Sequence, residues 1–315
     1  MTGREEKDLR IEAWIKVKLS ECPVILKDYM RHIDKKTSMT RKAYLGYLKQ
    51  FCEFMEERGV NLIEAKPLDL DAYKEYISVT NGHDNAPSII NTKLAAVISF
   101  YNFLQMNKMV SDNPCEYVEK LNVHGKDEVV YMTEEEQEKL YNNIRTAKHR
   151  RTKKYINRDL CIVKLGCSTG LRVSAICNIN LDDVDLENGT IWVTEKGDKK
   201  VKTRIGQNTI STISTWLKDR ERILGDEKQT ALFINPHHDR LSTAAVNEMI
   251  QKETIDFGKH ITPHKMRSSC AMELYDKTGD IYLVQQQLNH ANIRNTMIYA
   301  KATEQKMSEA CALLD

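Results

Sequence analysis

Two arginines, two histidines and a late tyrosine have the side-chain types needed for chemistry at a phosphodiester. Arg172 lies in the segment STGLRVSAI, His264 and Arg267 share the segment PHKMR, and His290 and Tyr299 follow, nine residues apart. Guanidinium groups pair bidentately with phosphate oxygens, imidazoles titrate near neutral pH, and a phenol can act as a covalent nucleophile. The set predicts phosphodiester chemistry with a tyrosine as the attacking group.

Helix starts are predicted to position three of these side chains. Arg172 follows Gly170 at a loop-to-helix start, where backbone N–H groups favour an anion. His264 and Arg267 are three residues apart on one predicted helix and therefore share a face, and Pro263 fixes that helix start. Each residue alone could be an ordinary surface side chain, so the prediction rests on the combination and its spacing.

The sequence has no motif for a metal or a cofactor. Its eight cysteines form no CxxC pair and no Cys/His spacing typical of zinc, so we expect them to be reduced core residues. There is no P-loop, and there are no paired carboxylates of the kind that a two-metal nuclease uses. We therefore expect a reaction that needs neither cofactor nor metal.

Length and composition predict a globular protein of two domains. The chain has 315 residues, of which 41% are hydrophobic and 29% charged, as in ordinary globular proteins. No apolar run approaches the roughly 20 residues that span a bilayer, and the N-terminal segment lacks the apolar core of a secretion signal. We expect a cytoplasmic, nucleoid-associated protein without a membrane partner.

Basic residues are concentrated in two runs that contain no acid. The formal net charge is only +2, but residues 145–158 contain seven Lys or Arg, and residues 35–50 contain five. Such runs suit the phosphate backbone of a nucleic acid. A solvated helix face remains the alternative explanation.

Residues 1–121 are predicted to form a helical bundle. Helices are expected over 24–34, from 38 to the stop at Gly59, over 68–77 after Pro67, and over 88–105, with a loop at 81–87. Asn113 and Pro114 supply a cap and a first-turn proline, which predict a final short helix. Residues 122–132 lose the helical periodicity and are predicted to be a linker.

Residues 133–315 are predicted to form a second domain with a small antiparallel sheet. Thr133 and Glu136 make a capping box, and a helix follows over 155–167. Segments 190–195 and 200–205 alternate like strands around a turn at Gly197 and Asp198, which predicts a hairpin. Further helices are expected over 208–223, 242–257, 264–276, 281–289 and 293–299, with a helical tail from 303. The predicted fold is therefore mainly α, a helical bundle followed by an α+β domain.

The chain resembles the tyrosine recombinases, also called phage integrases. The resemblance lies in the segments TGLRVSAI, VTEKGDKK, TPHKMRSS and QQQLNHANIRNTMIYAK, and in outline it covers the whole chain. It implies a SAM-like core-binding bundle before a catalytic domain. It also implies a site-specific recombinase that cuts and rejoins DNA through a 3′-phosphotyrosine intermediate.

The resemblance assigns a role to each candidate residue. Arg172 and Arg267 would hold the non-bridging oxygens of the scissile phosphate, and Tyr299 would attack the phosphorus. His264 would accept or position a proton, and His290 would donate a hydrogen bond to the phosphate.

A lysine on the predicted hairpin would act as the general acid for the leaving 5′-oxygen. The resemblance favours Lys196, but Lys199 and Lys200 are close enough in sequence to be alternatives.

The implied partners are double-stranded DNA with specific recombination sites and three further copies of the chain. The C-terminal helix would dock on a neighbouring protomer to form a tetramer, and an accessory directionality factor is possible. The biological task would be integration or excision of a mobile element, or dimer resolution. Base contacts are expected from the fourth helix of the first domain, where Asn91, Lys93 and Asn102 are candidates.

Two departures from the family pattern leave other functions open. Ala175 stands where the family usually has an acid, and Asn289 stands where it usually has a glycine before the second histidine. A catalytically weakened DNA-binding regulator is therefore one alternative. A type IB-like topoisomerase, which uses a similar set of residues, is the other.

Overall fold

The chain divides into two units, Met1–Gly125 and Lys126–Asp315. The computed structural model describes residues 3–80, 83–122, 129–146, 153–194, 200–290, 292–301 and 303. Within these ranges, no helix combines the length and the apolar character needed to cross a membrane.

The first unit is built from helices that start and stop at the residues the sequence marks. Its elements are α1 (Gly3–Ser20), α2 (Val24–His32), α3 (Ser38–Glu57), α4 (Pro67–Ser78), β1 (Val79–Thr80), β2 (His83–Asp84) and α5 (Pro87–Met106). Prolines open α4 and α5 at their first positions, and Gly59 follows α3 with a φ of 68°. Four of the five helices predicted in this region are confirmed.

Aromatic side chains from three helices fill the core of the first unit. The ring of Phe51 on α3 lies 4.8 Å from Tyr73 on α4 and 6.0 Å from Tyr101 on α5, both in edge-to-face geometry. Leu48 and Met55 lie on the same face of α3 as Phe51 and are fully buried. This packing fixes α3, α4 and α5 against one another.

In the first unit one helix was missed and two local predictions are wrong. Helix α1 was not predicted, and its Ile11 and Ile15 are buried in the core. Residues 114–117 form a turn instead of a helix, in which Asn113 Oδ1 accepts the Cys115 N–H at 2.9 Å. Residues 81–87 were expected to be only a loop, but β2 pairs with β1 in an antiparallel hairpin.

Side chains of α1 and of the residue just after it contact three of the five basic residues in the run at 35–50. Glu12 forms an ion pair with Arg41, and Glu21, just after α1, approaches Lys49 at 3.2 Å. The Lys42 ammonium lies 4.8 Å from the centre of the Trp14 ring. The side chains that the sequence presents as an acid-free run are therefore partly neutralised by a neighbouring helix.

Among its described residues, the second unit contains three short strands and seven α-helices, besides the helical residues 297–301. Its elements are α6 (Glu134–Thr146), α7 (Ile156–Thr169), α8 (Val173–Asn178), β3 (Val184–Asp185), β4 (Thr190–Thr194), β5 (Lys200–Arg204), α9 (Gln207–Leu224), α10 (Thr243–Glu253), α11 (Pro263–Thr278) and α12 (Ile281–Leu288). The capping box before α6 is confirmed, since Thr133 and Glu136 bond to each other's backbone N–H groups at 2.8 and 3.3 Å. Helix α10 ends four residues earlier than predicted, and the predicted helix at 293–299 begins as a 3-10 turn, Ile293–Asn295.

The sheet shares a hydrophobic core with α7, the helix that ends just before Arg172. The three strands are antiparallel in the order β3-β4-β5, and Val193 of β4 faces Val201 of β5. Ile191 and Val193 point into a core that includes Cys161, Ile162 and other residues of α7. The predicted fold, mainly helical with a small antiparallel sheet, is confirmed.

Candidate active site

The segment between α7 and α8 places Arg172 at a helix N-terminus. Helix α7 ends at Gly170, which adopts a left-handed conformation with a φ of 66°. Arg172 is the N-cap of α8, with φ −64° and ψ 141°, and its side chain is half-buried. The first-turn N–H groups of a helix favour anions, so this position suits a residue that binds a phosphate oxygen.

Arg267 lies on α11 and ties three segments together. Its side chain is buried, and its guanidinium donates to the carbonyl of Gly170 at 2.6 Å and to the carbonyl of Leu288 at the end of α12. Carbonyl dipoles partly compensate a buried cation. The guanidinium is therefore held in a fixed orientation between α7, α11 and α12.

His264 lies in the first turn of α11, directly after Pro263, with part of its side chain exposed and part of it covered by protein. Desolvation by the surrounding protein lowers its pKa, and the charges of Arg267, Lys265 and Arg172 lower it further. The imidazole is consequently neutral at physiological pH. In that form it can accept a proton.

His290 follows α12 and is held from both sides by Gln285. Its N–H donates to the Gln285 carbonyl at 3.1 Å, and its own carbonyl accepts from Gln285 Nε2 at 3.0 Å. The ring Nδ1 lies 2.9 Å from the hydroxyl of Thr296. Desolvation, followed by the charges of Arg267 and Arg172, lowers the pKa of His290 to about 4.

Tyr299 lies in the helical residues 297–301, and only 2% of its surface is exposed. It packs in a cluster with Ala271, Met272, Val284 and Leu288 from α11 and α12. Burial raises the pKa of its phenol, while a side-chain hydrogen bond with Ser268 and the charge of Arg267 act in the opposite direction. In this state the phenol is protonated and shielded from water.

Five of the six predicted site residues belong to one electrostatic cluster. The pKa values of His264 and His290 both respond to Arg172 and Arg267, and that of Tyr299 responds to Arg267. Such coupling requires the charges to lie near one another. The arrangement places two guanidinium groups, two neutral imidazoles and one phenol in a single site.

The position of the predicted catalytic lysine on the hairpin cannot be described. Lys196 and Lys199 lie outside the described residues. Lys200 is the first residue of β5, pairs with Thr194 and is exposed. Across the described ranges of the chain, no group of three or more His, Cys, Asp or Glu side chains is arranged to hold a metal ion.

The sequence reasoning missed three residues that contact the site. Ser268 bonds to Tyr299, Thr296 bonds to the His290 ring, and Gln285 holds the His290 backbone. Ser268 adjoins Arg267 in the segment TPHKMRSS, but its side-chain type gives no signal of this contact. The contact made by Thr296 depends on the 3-10 turn, which periodicity does not predict.

The two departures from the family pattern have different structural consequences. Asn289 adopts the left-handed conformation, with φ 49° and ψ 43°, which glycine accepts most easily and asparagine tolerates. Asparagine therefore replaces glycine here without an unusual backbone. Ala175 is buried in the core of the second unit, so no carboxylate is present at that position.

Two of the three candidates for base contact are engaged within the first unit. The Asn91 amide donates to the Leu121 carbonyl and accepts the Leu121 N–H, both at 2.8 Å. Asn102 Oδ1 accepts a hydrogen bond from Asn113 at 2.8 Å. Asn91 thus holds the chain after α5, which makes it a poor candidate for reading a base.

Comparisons with known proteins show which family the sequence matches. Residues 130–306 match the model of the phage integrase family. A tyrosine recombinase XerC from Caldanaerobacter subterraneus subsp. tengcongensis is 31% identical over an alignment that covers 91% of this chain and 86% of the relative. A tyrosine recombinase XerC from Psychromonas ingrahamii is 28% identical, with 92% and 96% covered.

Solved recombinase structures share the fold. The XerH site-specific recombinase bound to palindromic difH substrate matches with a TM-score of 0.75 at 22% identity, over 98% of this chain and 90% of that one. A lambda integrase dimer bound to a COC′ core site matches with a TM-score of 0.65 at 15% identity, over 89% and 94%. The family model covers more than half of the chain and the Caldanaerobacter relative most of it, and on this basis the chain belongs to the phage integrase family of tyrosine recombinases.

Proposed function

We propose that this tyrosine recombinase cleaves and rejoins specific DNA sites through a 3′-phosphotyrosine intermediate on Tyr299. The observation that carries the proposal is that Arg172 and Arg267 lie close enough to His264 and His290 to help lower the pKa of both imidazoles, and that Arg267 also counteracts the rise that burial causes in the pKa of Tyr299. Two cations suit the charge that develops on a phosphate in the transition state. Neutral imidazoles suit proton transfer and hydrogen-bond donation at physiological pH.

In the proposed reaction, the Tyr299 oxygen forms a bond to phosphorus as the bond to the 5′-oxygen breaks. The phenol proton passes to His264, and the leaving 5′-oxygen takes a proton from Lys196. Arg172 and Arg267 hold the non-bridging oxygens. The ester to tyrosine conserves the phosphodiester bond energy, so a second 5′-hydroxyl can reverse the reaction without ATP.

Burial of Tyr299 implies a conformational step before attack. The residue is 2% exposed and its pKa is raised by burial, so a DNA phosphate cannot reach a phenolate in this state. Residues 297–301 would have to shift when DNA binds. Loss of the apolar cluster would then be offset by contacts with DNA or with another protomer.

The proposed partner is double-stranded DNA with specific recombination sites, bound by a tetramer. The XerH and lambda integrase structures that share this fold are of recombinases bound to DNA, which supports a DNA partner. Docking of the C-terminal tail on a neighbouring protomer belongs to the same proposal, and residues 304–315 lie outside the described ranges. The proposed task is mobile-element integration or excision, or dimer resolution, with an accessory directionality factor as a possible partner.

The test uses nicked duplexes made from the DNA that flanks the gene. Wild-type protein, Tyr299→Phe and the matched control Tyr282→Phe are incubated with them in EDTA and scored for a band that survives denaturation. Tyr282 lies on α12 and is 68% exposed, so its phenol should be dispensable. The proposal requires the band with wild type and the control only, and a band with Tyr299→Phe would contradict it.

A second candidate function is sequence-specific DNA binding with weakened catalysis. The buried Ala175, in place of the usual acid, is the observation that favours it. A specific mobility shift of the same duplex without any covalent band would support this candidate. Relaxation of plasmids that lack a specific site would instead indicate topoisomerase activity.

A further inference from the structure

Thr296 contacts both the His290 ring and the turn that carries Tyr299. It is fully buried, between the 3-10 turn Ile293–Asn295 and the helical residues 297–301. Its hydroxyl lies 2.9 Å from Nδ1 of His290, and its carbonyl accepts the Tyr299 N–H at 3.0 Å. Thr296 therefore links the orientation of the imidazole to that of the tyrosine segment.

The contact fixes which edge of the ring faces the rest of the site. Gln285 holds the His290 main chain through two hydrogen bonds of 3.1 and 3.0 Å, but these leave the ring free to rotate. The Thr296 hydroxyl supplies the contact that stops this rotation. With Nδ1 facing Thr296, Nε2 is the nitrogen that remains for a ligand.

The hydrogen-bond donors and acceptors around His290 determine which ring nitrogen carries the proton. A neutral imidazole carries one N–H, on either Nδ1 or Nε2. Within the described part of the chain, the His290 ring is the only side-chain hydrogen-bond partner of the Thr296 hydroxyl. If the hydroxyl donates to Nδ1, its own proton is satisfied and the ring proton lies on Nε2. The other tautomer leaves a buried O–H proton without an acceptor, which is unfavourable.

We propose that Thr296 is a positioning residue that selects the Nε2–H tautomer of His290 and so presents a hydrogen-bond donor to the scissile phosphate. The tautomer itself is a property of the free protein. The statement that this donor meets a phosphate rests on the proposed function. Two experiments separate these parts.

The first experiment measures the tautomer by long-range ¹H–¹⁵N NMR of the ¹⁵N-histidine-labelled full chain without DNA, at pH 7. A His290→Gln sample identifies the His290 signals among those of the nine histidines. We expect a bare Nδ1 and a protonated Nε2 in wild type and in Thr296→Ser, which keeps the hydroxyl. Thr296→Val, which keeps the shape but lacks the hydroxyl, should show both tautomers. A protonated Nδ1 in wild type, or no change in Thr296→Val, would overturn the proposal.

The second experiment measures single-turnover cleavage of a nicked duplex and, separately, DNA affinity. Loss of a hydrogen bond that orients a site residue typically slows a reaction by about 10-fold. We expect Thr296→Val to cleave about 10-fold more slowly than wild type with unchanged affinity for DNA. The cleavage rate of Thr296→Ser should stay within about 3-fold of wild type. Equal loss in both variants would assign Thr296 a packing role and refute a role for its hydroxyl. If wild type fails to cleave any DNA, the NMR result still decides the tautomer, so the two failures are distinguishable.

Discussion

Replacement of Gly170 by alanine tests how tightly the loop before Arg172 is packed against the site. Gly170 has a φ of 66°, and an added Cβ would lie 2.5 Å from Leu288 Cδ2 and 3.3 Å from Cys270 Sγ. Gly279 is a matched control, because it ends α11 with a φ of 65° and an added Cβ there would meet nothing within 4 Å. The two glycines share their conformation and differ in their neighbours.

The structure gives a different cost for each substitution. Left-handed strain costs roughly 1–2 kcal/mol, and the less flexible unfolded chain returns about 0.4–1 kcal/mol, so Gly279→Ala should destabilise by about 1 kcal/mol. Gly170→Ala adds overpacking of roughly 1–3 kcal/mol, because the buried Leu288 must move. Its free energy of unfolding should therefore fall by about 2–4 kcal/mol.

The assay is urea unfolding of the two variants and wild type, with cleavage of a nicked duplex measured where all three are folded. Arg267 donates to the carbonyls of both Gly170 and Leu288, so Gly170→Ala should also slow cleavage, whereas Gly279→Ala should leave it unchanged. Unfolding free energies that agree within about 0.5 kcal/mol for the two variants would refute the packing argument.

Three further predictions concern stability, pH and salt. Gly46 is an exposed glycine inside α3, and an added Cβ would meet nothing within 4 Å. Gly46→Ala should therefore raise the free energy of unfolding by about 0.5–1 kcal/mol. An unchanged or lower free energy in urea unfolding would contradict this prediction. The pKa of His290 is lowered from 6.5 to about 4, so the neutral ring is favoured by folding. Its contribution to the free energy of unfolding is fully present above pH 6.5 and is lost as the pH falls through 4. Allowing for solvent screening of the half-buried ring, this contribution is about 1–2 kcal/mol. Between pH 6.5 and 4, the free energy of unfolding of His290→Gln should therefore fall by about 1–2 kcal/mol less than that of wild type. Glu12→Gln with Glu21→Gln should release Arg41 and Lys49 and steepen the slope of log affinity for DNA against log salt by up to about 1.8, whereas an unchanged slope would mean that these cations do not meet DNA.

Local signals were sufficient to predict most of the helices. Prolines at the first positions of α4 and α5 and the glycine after α3 are caps whose effect does not depend on distant residues. The strand pairing of β4 and β5 also followed from alternation within two short segments. These features are encoded by residues that are close in sequence.

The errors occurred where tertiary contacts decide the structure. Helix α1 mixes acids and bases on all sides, and the sequence does not show that its Glu12 pairs with Arg41 or that Glu21, just after it, pairs with Lys49. Asn113 and Pro114 provide the same cap for a turn as for a helix, and a helix of one turn is costly to nucleate. The sequence alone does not distinguish the two outcomes.

Candidate site residues could be selected from the sequence, but the burial and contacts of their side chains could not. The spacing of His264 and Arg267 places them on one helix face, and the resemblance supplied the remaining positions. Neither shows that Tyr299 is buried or that Thr296 meets His290, because both depend on how residues 293–301 fold back on α11 and α12. The conformational step proposed for Tyr299 follows only from the structure.

The most direct test of the central claim is to locate the covalent bond between the protein and DNA. The adduct from a nicked duplex is digested with trypsin and nuclease, and the modified peptide is sequenced by mass spectrometry. Residues 295–301 form one tryptic peptide, NTMIYAK, with Tyr299 as its single tyrosine. A nucleotide attached to this tyrosine through its 3′-phosphate is the predicted result. Attachment to another peptide, or through a 5′-phosphate, would contradict the account.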